Sequence, residues 1–234
     1  MSPVTTQWID IDSPDGKFGG YLALPPAGSG PALVLVQEIF GVNPHIRGVA
    51  EQYALAGFVV LAPDLFWREA PRVELGYEGA DQKRAYELMN TVSPARVAND
   101  LKAAVAALRA RPEAAGRKLG AIGYCMGGRL TYAAGAIAGI DAGVAYYGGG
   151  IQNQLDLAPQ VACPMQFHYG AQDDHIPASA VDAVRQAFEG KPAEIFVYPG
   201  AGHGFNCWAR SAYHPASAAL AHGRSLQFLA QQLF

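Results

Sequence analysis

The sequence predicts an open, doubly wound α/β sheet, mostly parallel, with an antiparallel edge at its N-terminal side. Three observations lead there. Short continuous apolar runs, such as Ala32-Leu33-Val34-Leu35-Val36 and Phe58-Val59-Val60-Leu61-Ala62, read as strands buried on both faces. Between such runs lie segments of helical periodicity, the clearest being Pro94 to Ala110, where Val97, Leu101, Ala104, Val105 and Leu108 share one face. The first stretch instead alternates apolar and polar residues on the way into a turn, as a half-exposed hairpin does.

Trp8 to Asp12 is the alternating arm, Ser13-Pro14-Asp15-Gly16 supplies turn chemistry, and Phe18 to Leu24 returns as the second arm. After the Pro/Gly/Ser segment Pro25 to Pro31 comes the buried strand Ala32 to Val36, ending at Gln37-Glu38-Ile39-Phe40-Gly41. Pro44 to Gly57 reads as a helix and Phe58 to Asp64 as a second buried strand, which implies a right-handed parallel crossover. From Leu65 to Gly79 the pattern lapses, as in a surface excursion over one end of the sheet. Helices are expected over Ala80 to Asn90 and Pro94 to Ala110, a strand over Lys118 to Ile122, a helix over Arg129 to Ala138, and a strand over Ala142 to Tyr147. Strand Met165 to Tyr169, helix Ala178 to Phe188, strand Glu194 to Tyr198 and helix Ala216 to Leu233 complete the alternation. No repeat, low-complexity tract or linker divides the chain, so residues 1–234 are expected to form one domain.

Composition narrows the classes of partner. The 234 residues are 50% hydrophobic and 16% charged with a net charge of -3, and no Lys/Arg run leaves a footprint for nucleic acid or an acidic membrane. Small molecules are the expected partners. Met1 to Gly20 lacks a basic start followed by an apolar core, and no apolar segment is long enough to span a bilayer, so a cytoplasmic location is expected. Cys125, Cys163 and Cys207 are odd in number and match no zinc spacing, so a disulfide framework is not expected and at least one thiol is free. The pattern marks no oligomeric surface; a monomer is the expectation, with a dimer left open.

Gly123-Tyr124-Cys125-Met126-Gly127-Gly128 joins an apolar run to an Ala-rich one through a turn with glycine on both sides of a thiol. It is the thiol form of the Gly-x-Ser-x-Gly elbow, which lifts a nucleophile above the end of a sheet. Such a nucleophile needs a base and a group that orients the base, and these follow in chain order as acid and then His. Gly170-Ala171-Gln172-Asp173-Asp174-His175-Ile176-Pro177 places carboxylates just past one strand, and Gly202-His203-Gly204 places an imidazole between glycines past the next. Asp173 in a bland role would cap the following helix. His203 would be an ordinary loop residue, as His45, His168, His175, His214 and His222 are expected to be. Order and placement at strand ends favour the functional reading. Glu38 ends the strand Ala32 to Val36 and so lies at the same sheet edge as Cys125, in position to accept the thiol proton or pair with His203. The backbone N–H groups of Ile39 and Met126 are the expected oxyanion donors.

Gln37-Glu38-Ile39-Phe40-Gly41-Val42, Ala62-Pro63-Asp64-Leu65, the Gly123–Gly128 elbow, Tyr146-Tyr147-Gly148, Gln172-Asp173 with Pro177, and Gly202-His203-Gly204-Phe205 together resemble the dienelactone hydrolase (carboxymethylenebutenolidase) family of the α/β-hydrolase fold. The likeness runs over essentially the whole chain. It implies a Cys125-His203-Asp173 triad, selects Asp173 over Asp174 because the family acid lies four residues before the proline, and makes Glu38 the group that takes the thiol proton when substrate arrives. It also implies a small enol-lactone or ester substrate, an acyl-thioester intermediate, and no metal or cofactor. The family's two carboxylate-binding arginines fall on Gln82 and Cys207 here, with Arg84 and Arg210 nearby as substitutes and Tyr86 matching. Those departures leave two further readings: an esterase or thioesterase for uncharged activated esters, and a non-enzymatic protein using Cys125 as an oxidisable thiol.

Overall fold

The structure is a computed structural model that describes residues 4–234, so residues 1–3 of the expected 1–234 domain lie outside the described residues. Its eight strands are β1 (Thr5–Ser13), β2 (Gly16–Leu24), β3 (Ala32–Val36), β4 (Val59–Pro63), β5 (Leu119–Tyr124), β6 (Ala142–Tyr146), β7 (Met165–Gly170) and β8 (Ala193–Tyr198). They form one sheet in the order β1-β2-β4-β3-β5-β6-β7-β8. The hairpin β1/β2 is antiparallel, β2 joins β4 antiparallel, and every pair from β4 to β8 is parallel. This is the α/β-hydrolase arrangement with an antiparallel N-terminal edge, as expected. Each residue of β3, β4, β5 and β6 is buried, which explains why those strands read as unbroken apolar runs.

Six helices connect the strands: α1 (Pro44–Leu55), α2 (Gly79–Thr91), α3 (Pro94–Arg109), α4 (Met126–Ile137), α5 (Ala178–Ala187) and α6 (Pro215–Leu233). Their starts follow local chemistry. Asn43 accepts from the Ile46 N–H at 3.2 Å with Pro44 at the first helical position, and His214 accepts from the Ser217 N–H at 3.3 Å with Pro215 behind it. No helix among the described residues is long and apolar enough to cross a membrane.

Two expectations change. α4 begins at Met126, not Arg129, because Cys125 itself occupies the cap position and the strand turns into the helix within one residue. The stretch from Leu65 to Gly79 is less superficial than its pattern implied. Leu65 and Phe66 are buried, and the Asp64 carboxylate ties the stretch down by accepting from the N–H groups of Phe66 at 3.1 Å and Arg72 at 2.6 Å. Short 3-10 turns at Pro112–Ala114, Ile151–Asn153 and Leu155–Gln160 had no sequence signature.

Parallel pairing aligns the carboxyl ends of β3, β5, β6, β7 and β8 along one edge. The loops leaving those ends carry Glu38, Cys125, Tyr147, Asp173 and His203, so the topology assembles the site.

Candidate active site

Cys125 sits between β5 and α4 with φ 55° and ψ -116°, a conformation that L-residues adopt only under constraint. The constraint is visible. Its N–H donates to the Tyr146 carbonyl at 3.0 Å, and its carbonyl accepts from Gly128 at 3.0 Å as the helix starts. Glycine is required on both sides: a Cβ on Gly123 would strike the Gly127 carbonyl, and one on Gly127 would strike the carbonyls of Val36 and Gln37.

The sulfur faces His203, whose Nε2 lies 3.1 Å from Cys125 Sγ. On the other side of the ring, Nδ1 lies 2.9 Å from Asp173 Oδ2, so Nδ1–H donates to a carboxylate whose side chain is wholly buried. Asp173 is fixed in turn because its Oδ1 accepts from the His175 N–H at 2.8 Å. Burial alone disfavours an imidazolium here, but the bonds to Asp173 and Cys125 and their charges outweigh it, and His203 is pushed up to about 10.

Glu38 is fully buried, and neither of its oxygens has a hydrogen-bond partner among the described residues. The nearest cation is Arg210, with Nη1 3.8 Å from Oε1. Burial raises the Glu38 carboxyl above its ordinary range, while Arg210 and His203 pull the other way. The backbone N–H groups of Ile39 and Met126 make no backbone hydrogen bond among the described residues, and Met126 opens α4, where the helix dipole is positive. These free donors lie beside the thiol in a cavity of about 330 Å³ that Ile39, Met126, Cys125 and His203 all line.

Sequence comparison places the chain among proteins of this architecture. The profile of the Dienelactone hydrolase family matches residues 18–233. The chain belongs to the dienelactone hydrolase family. The carboxymethylenebutenolidase of Pseudomonas putida is 36% identical over 228 residues, covering 96% of both chains, and carboxymethylenebutenolidase 1 of Cupriavidus pinatubonensis is 34% identical over 217 residues, covering 92% of both. A solved structure from Klebsiella pneumoniae, 32% identical, superposes with a TM-score of 0.88 over 98% of this chain and 100% of that one. The chemistry of the chain is that of a carboxylic ester hydrolase.

Within the candidate site, Tyr86 and Met89 reach the cavity from α2, three residues apart and therefore on one face. Arg84 does not: two residues from Tyr86 it lies on a different face, where it is exposed and pairs with Glu87 at 3.2 Å. Its expected role in substrate binding is therefore corrected. Gln82 is exposed and does not line the cavity. Arg210 does line it, with its guanidinium near the rings of Phe40 and Tyr77 at 5.5 and 5.6 Å. The turn closed by Arg210 N–H on the Cys207 carbonyl at 3.1 Å brings it back over Gly204, whereas Cys207 is buried and its thiol is pushed up to about 12 by burial.

Two residues of the candidate site carried no clear mark in the sequence, and a third, Tyr147, was marked only by its motif. Arg129 lines the cavity three residues after Met126 on the same helical face, and its side chain makes no ion pair among the described residues. Helical spacing from the elbow is the signal that would have found it. His175, expected to be ordinary, also lines the cavity with its ring 4.8 Å from that of His203. Tyr147, at φ 35°, presents its ring to His203 at 5.2 Å. The three cysteines are free, as expected of a chain without a disulfide framework.

Proposed function

We propose that the chain hydrolyses a small enol-lactone or activated ester through Cys125, with His203 as the base that activates the hydrolytic water, Asp173 as the group that orients it and an acyl thioester as the intermediate. The observation that carries this reading is the continuous line from Cys125 Sγ through His203 at 3.1 Å to Asp173 at 2.9 Å. Sulfur attacks the carbonyl carbon, and the oxyanion that forms is held by the N–H groups of Ile39 and Met126. Each such donor typically contributes about 3 kcal/mol to the transition state. Collapse breaks the ester C–O bond and expels the enolate, which takes from Glu38 the proton that left the thiol and tautomerises to a ketone. His203 then deprotonates a water that attacks the thioester; the thiol leaves and the second acid group is released. A thiolate suits this leaving group, because an enolate departs before sulfur is expelled again.

Glu38 is the proposed acceptor of the thiol proton when substrate arrives. Its burial and lack of hydrogen-bond partners support that role, since both make the carboxylate a stronger base than an exposed one. Tyr86 packs against the substrate, and Arg210 with Arg129 receives a substrate carboxylate; two guanidinium groups in so small a cavity favour an anionic substrate over an uncharged one. The same reading has the chain act as a cytoplasmic monomer on small molecules, with neither nucleic acid nor membrane as partner.

The test is turnover of an anionic enol-lactone beside an uncharged activated ester by the wild type, Cys125→Ala and Cys163→Ala. Cys125→Ala is expected to lose roughly 10³-fold or more in kcat/KM, and Cys163→Ala to stay near wild type. Full activity in Cys125→Ala would overturn the mechanism. A strong preference for the uncharged ester would overturn the lactone assignment and leave the esterase reading standing.

A further inference from the structure

Behind the catalytic cavity three potential ligands of different chemistry meet. Glu38 comes from the segment after β3, His45 from the first turn of α1, and Cys207 from the loop four residues beyond His203. One carboxylate oxygen, one ring nitrogen and the sulfur all lie within 4.8 Å of one another. Glu38 and Cys207 are 0% exposed and His45 2%. Neither Glu38 oxygen and neither His45 nitrogen has a hydrogen-bond partner among the described residues. Buried polar atoms are almost always partnered, so an orphaned carboxylate oxygen and an orphaned ring nitrogen meeting beside a thiol point to a ligand that supplies the missing bonds.

We propose that Glu38, His45 and Cys207 form a binding site for a divalent transition-metal ion, Zn²⁺ fitting best. A carboxylate, an imidazole and a thiolate make a three-protein-ligand zinc set, which leaves a fourth position for water. Magnesium and calcium, which take oxygen ligands, do not suit a sulfur and a nitrogen. Donors around tetrahedral zinc lie roughly 3.3–3.6 Å apart, given bond lengths of about 2.0–2.3 Å. Closing the triangle therefore needs movement on the order of 1 Å; Glu38 and His45 have no hydrogen bond to break and can make it by rotation, while the Cys207 sulfur exchanges its contact with the Tyr77 hydroxyl for the metal. On binding, the Cys207 S–H gives its proton to the buffer, and the thiolate and Glu38 carboxylate together neutralise the ion. Arg210 then faces a neutral complex in place of a carboxylate. Trp208, edge-on to His45 with ring centres 4.2 Å apart and 42% exposed, is the cover between the site and solvent. The ligands are scattered at 38, 45 and 207, so no local cysteine spacing announces them.

One consequence rests on the proposed catalytic role of Glu38. Metal held here withdraws that carboxylate from Cys125, so Zn²⁺ inhibits the hydrolase. Binding is read independently of activity by titrating the protein with Co²⁺ and following the thiolate-to-cobalt charge-transfer absorption, with Zn²⁺ as competitor. Wild type and Cys125→Ser are expected to take up one equivalent with this band; Cys207→Ser loses the band; His45→Phe binds about tenfold or more weakly. Cys207→Ser keeps its esterase turnover and becomes insensitive to Zn²⁺. Thermal melting of each variant checks folding, and His45→Phe carries the same test if Cys207→Ser does not fold. No band in wild type, a band that survives Cys207→Ser, or a band lost in Cys125→Ser, which would put the ion on the triad, each overturns the site. A normal band with turnover unaffected by Zn²⁺ sustains the site and instead removes Glu38 from the reaction.

Discussion

At Cys125 a backbone distortion sets the position of the sulfur. Holding a non-glycine residue at φ 55° and ψ -116° costs on the order of 1–3 kcal/mol, and the fold sustains it through the hydrogen bond to Tyr146 and the start of α4. The proposed roles of its neighbours make separable predictions. Asp173→Asn is expected to lower kcat by roughly 10²–10⁴-fold with little change in KM, because the ring loses its tautomer and orientation more than the substrate loses contacts. Arg210→Gln removes one charge-assisted contact of about 1.5–3 kcal/mol. It should raise KM for an anionic lactone while leaving that for an uncharged ester unchanged, which steady-state kinetics on both substrates will read. Cys125, Asp173 and His203 were legible because each follows a strand end in a recognisable loop. Arg129 and His175 were not, since an arginine on a helix and a histidine in a polar loop carry no mark until the cavity is formed.

The elbow works as an element only if strand and helix can nearly touch. Gly127→Ala puts a methyl against the carbonyls of Val36 and Gln37, which are backbone atoms that cannot rotate away. It is expected to lower stability by about 1–3 kcal/mol in urea unfolding and to reduce turnover, since the segment leaving β3 carries Glu38 and Ile39 beside the thiol. β7 holds a second device. His168 is buried, with Nδ1 2.8 Å from the Tyr198 hydroxyl and Nε2 2.8 Å from Gln166 Oε1, so a neutral ring donates to the amide and accepts from the phenol. Burial, with Arg224 adding to it, pushes His168 down to about 3 from an ordinary 6.5. Unfolded chains therefore bind the extra proton between about pH 6.5 and 3, and stability falls as pH falls through that window, by up to about 1.4 kcal/mol per unit. His168→Gln should be less stable at neutral pH yet show a shallower acid limb, measured by denaturant unfolding across that range. Helix and strand existence was readable from periodicity. The start of α4 was misjudged, because glycines around a thiol hide a helix N-terminus that has no capping side chain.

Across the whole molecule, the antiparallel edge is fastened to the body by one buried charge. Asp100 of α3 is fully buried and receives Arg68 bidentately at 2.6 and 3.0 Å and the Trp67 indole at 3.3 Å, while Arg68 also reaches Asp15 in the β1/β2 turn at 2.6 Å. Arg68→Met leaves Asp100 buried and unpaired, and is expected to cost about 3–5 kcal/mol. The double variant with Asp100→Asn should recover part of that loss in a double-mutant cycle, because no naked charge remains. The stretch from Leu65 to Gly79 looked like a free excursion because such ties join residues far apart in the chain.

Fold class, strand order of the chemistry and the Cys-His-Asp succession are written in local signals: apolar runs, glycine-flanked turns and acid-before-histidine order, each spanning a few neighbouring residues. Which side chains share a cavity is a matter of long-range packing. Arg84 and Arg210 looked equivalent as substitutes, and only the face of α2 and the turn at Cys207 separate one from the other. The meeting of Glu38, His45 and Cys207 likewise exists only once parallel pairing has brought the loop after β3, the start of α1 and the loop after β8 to the same edge. Periodicity reports whether a residue points inward; it carries no information about what it meets there.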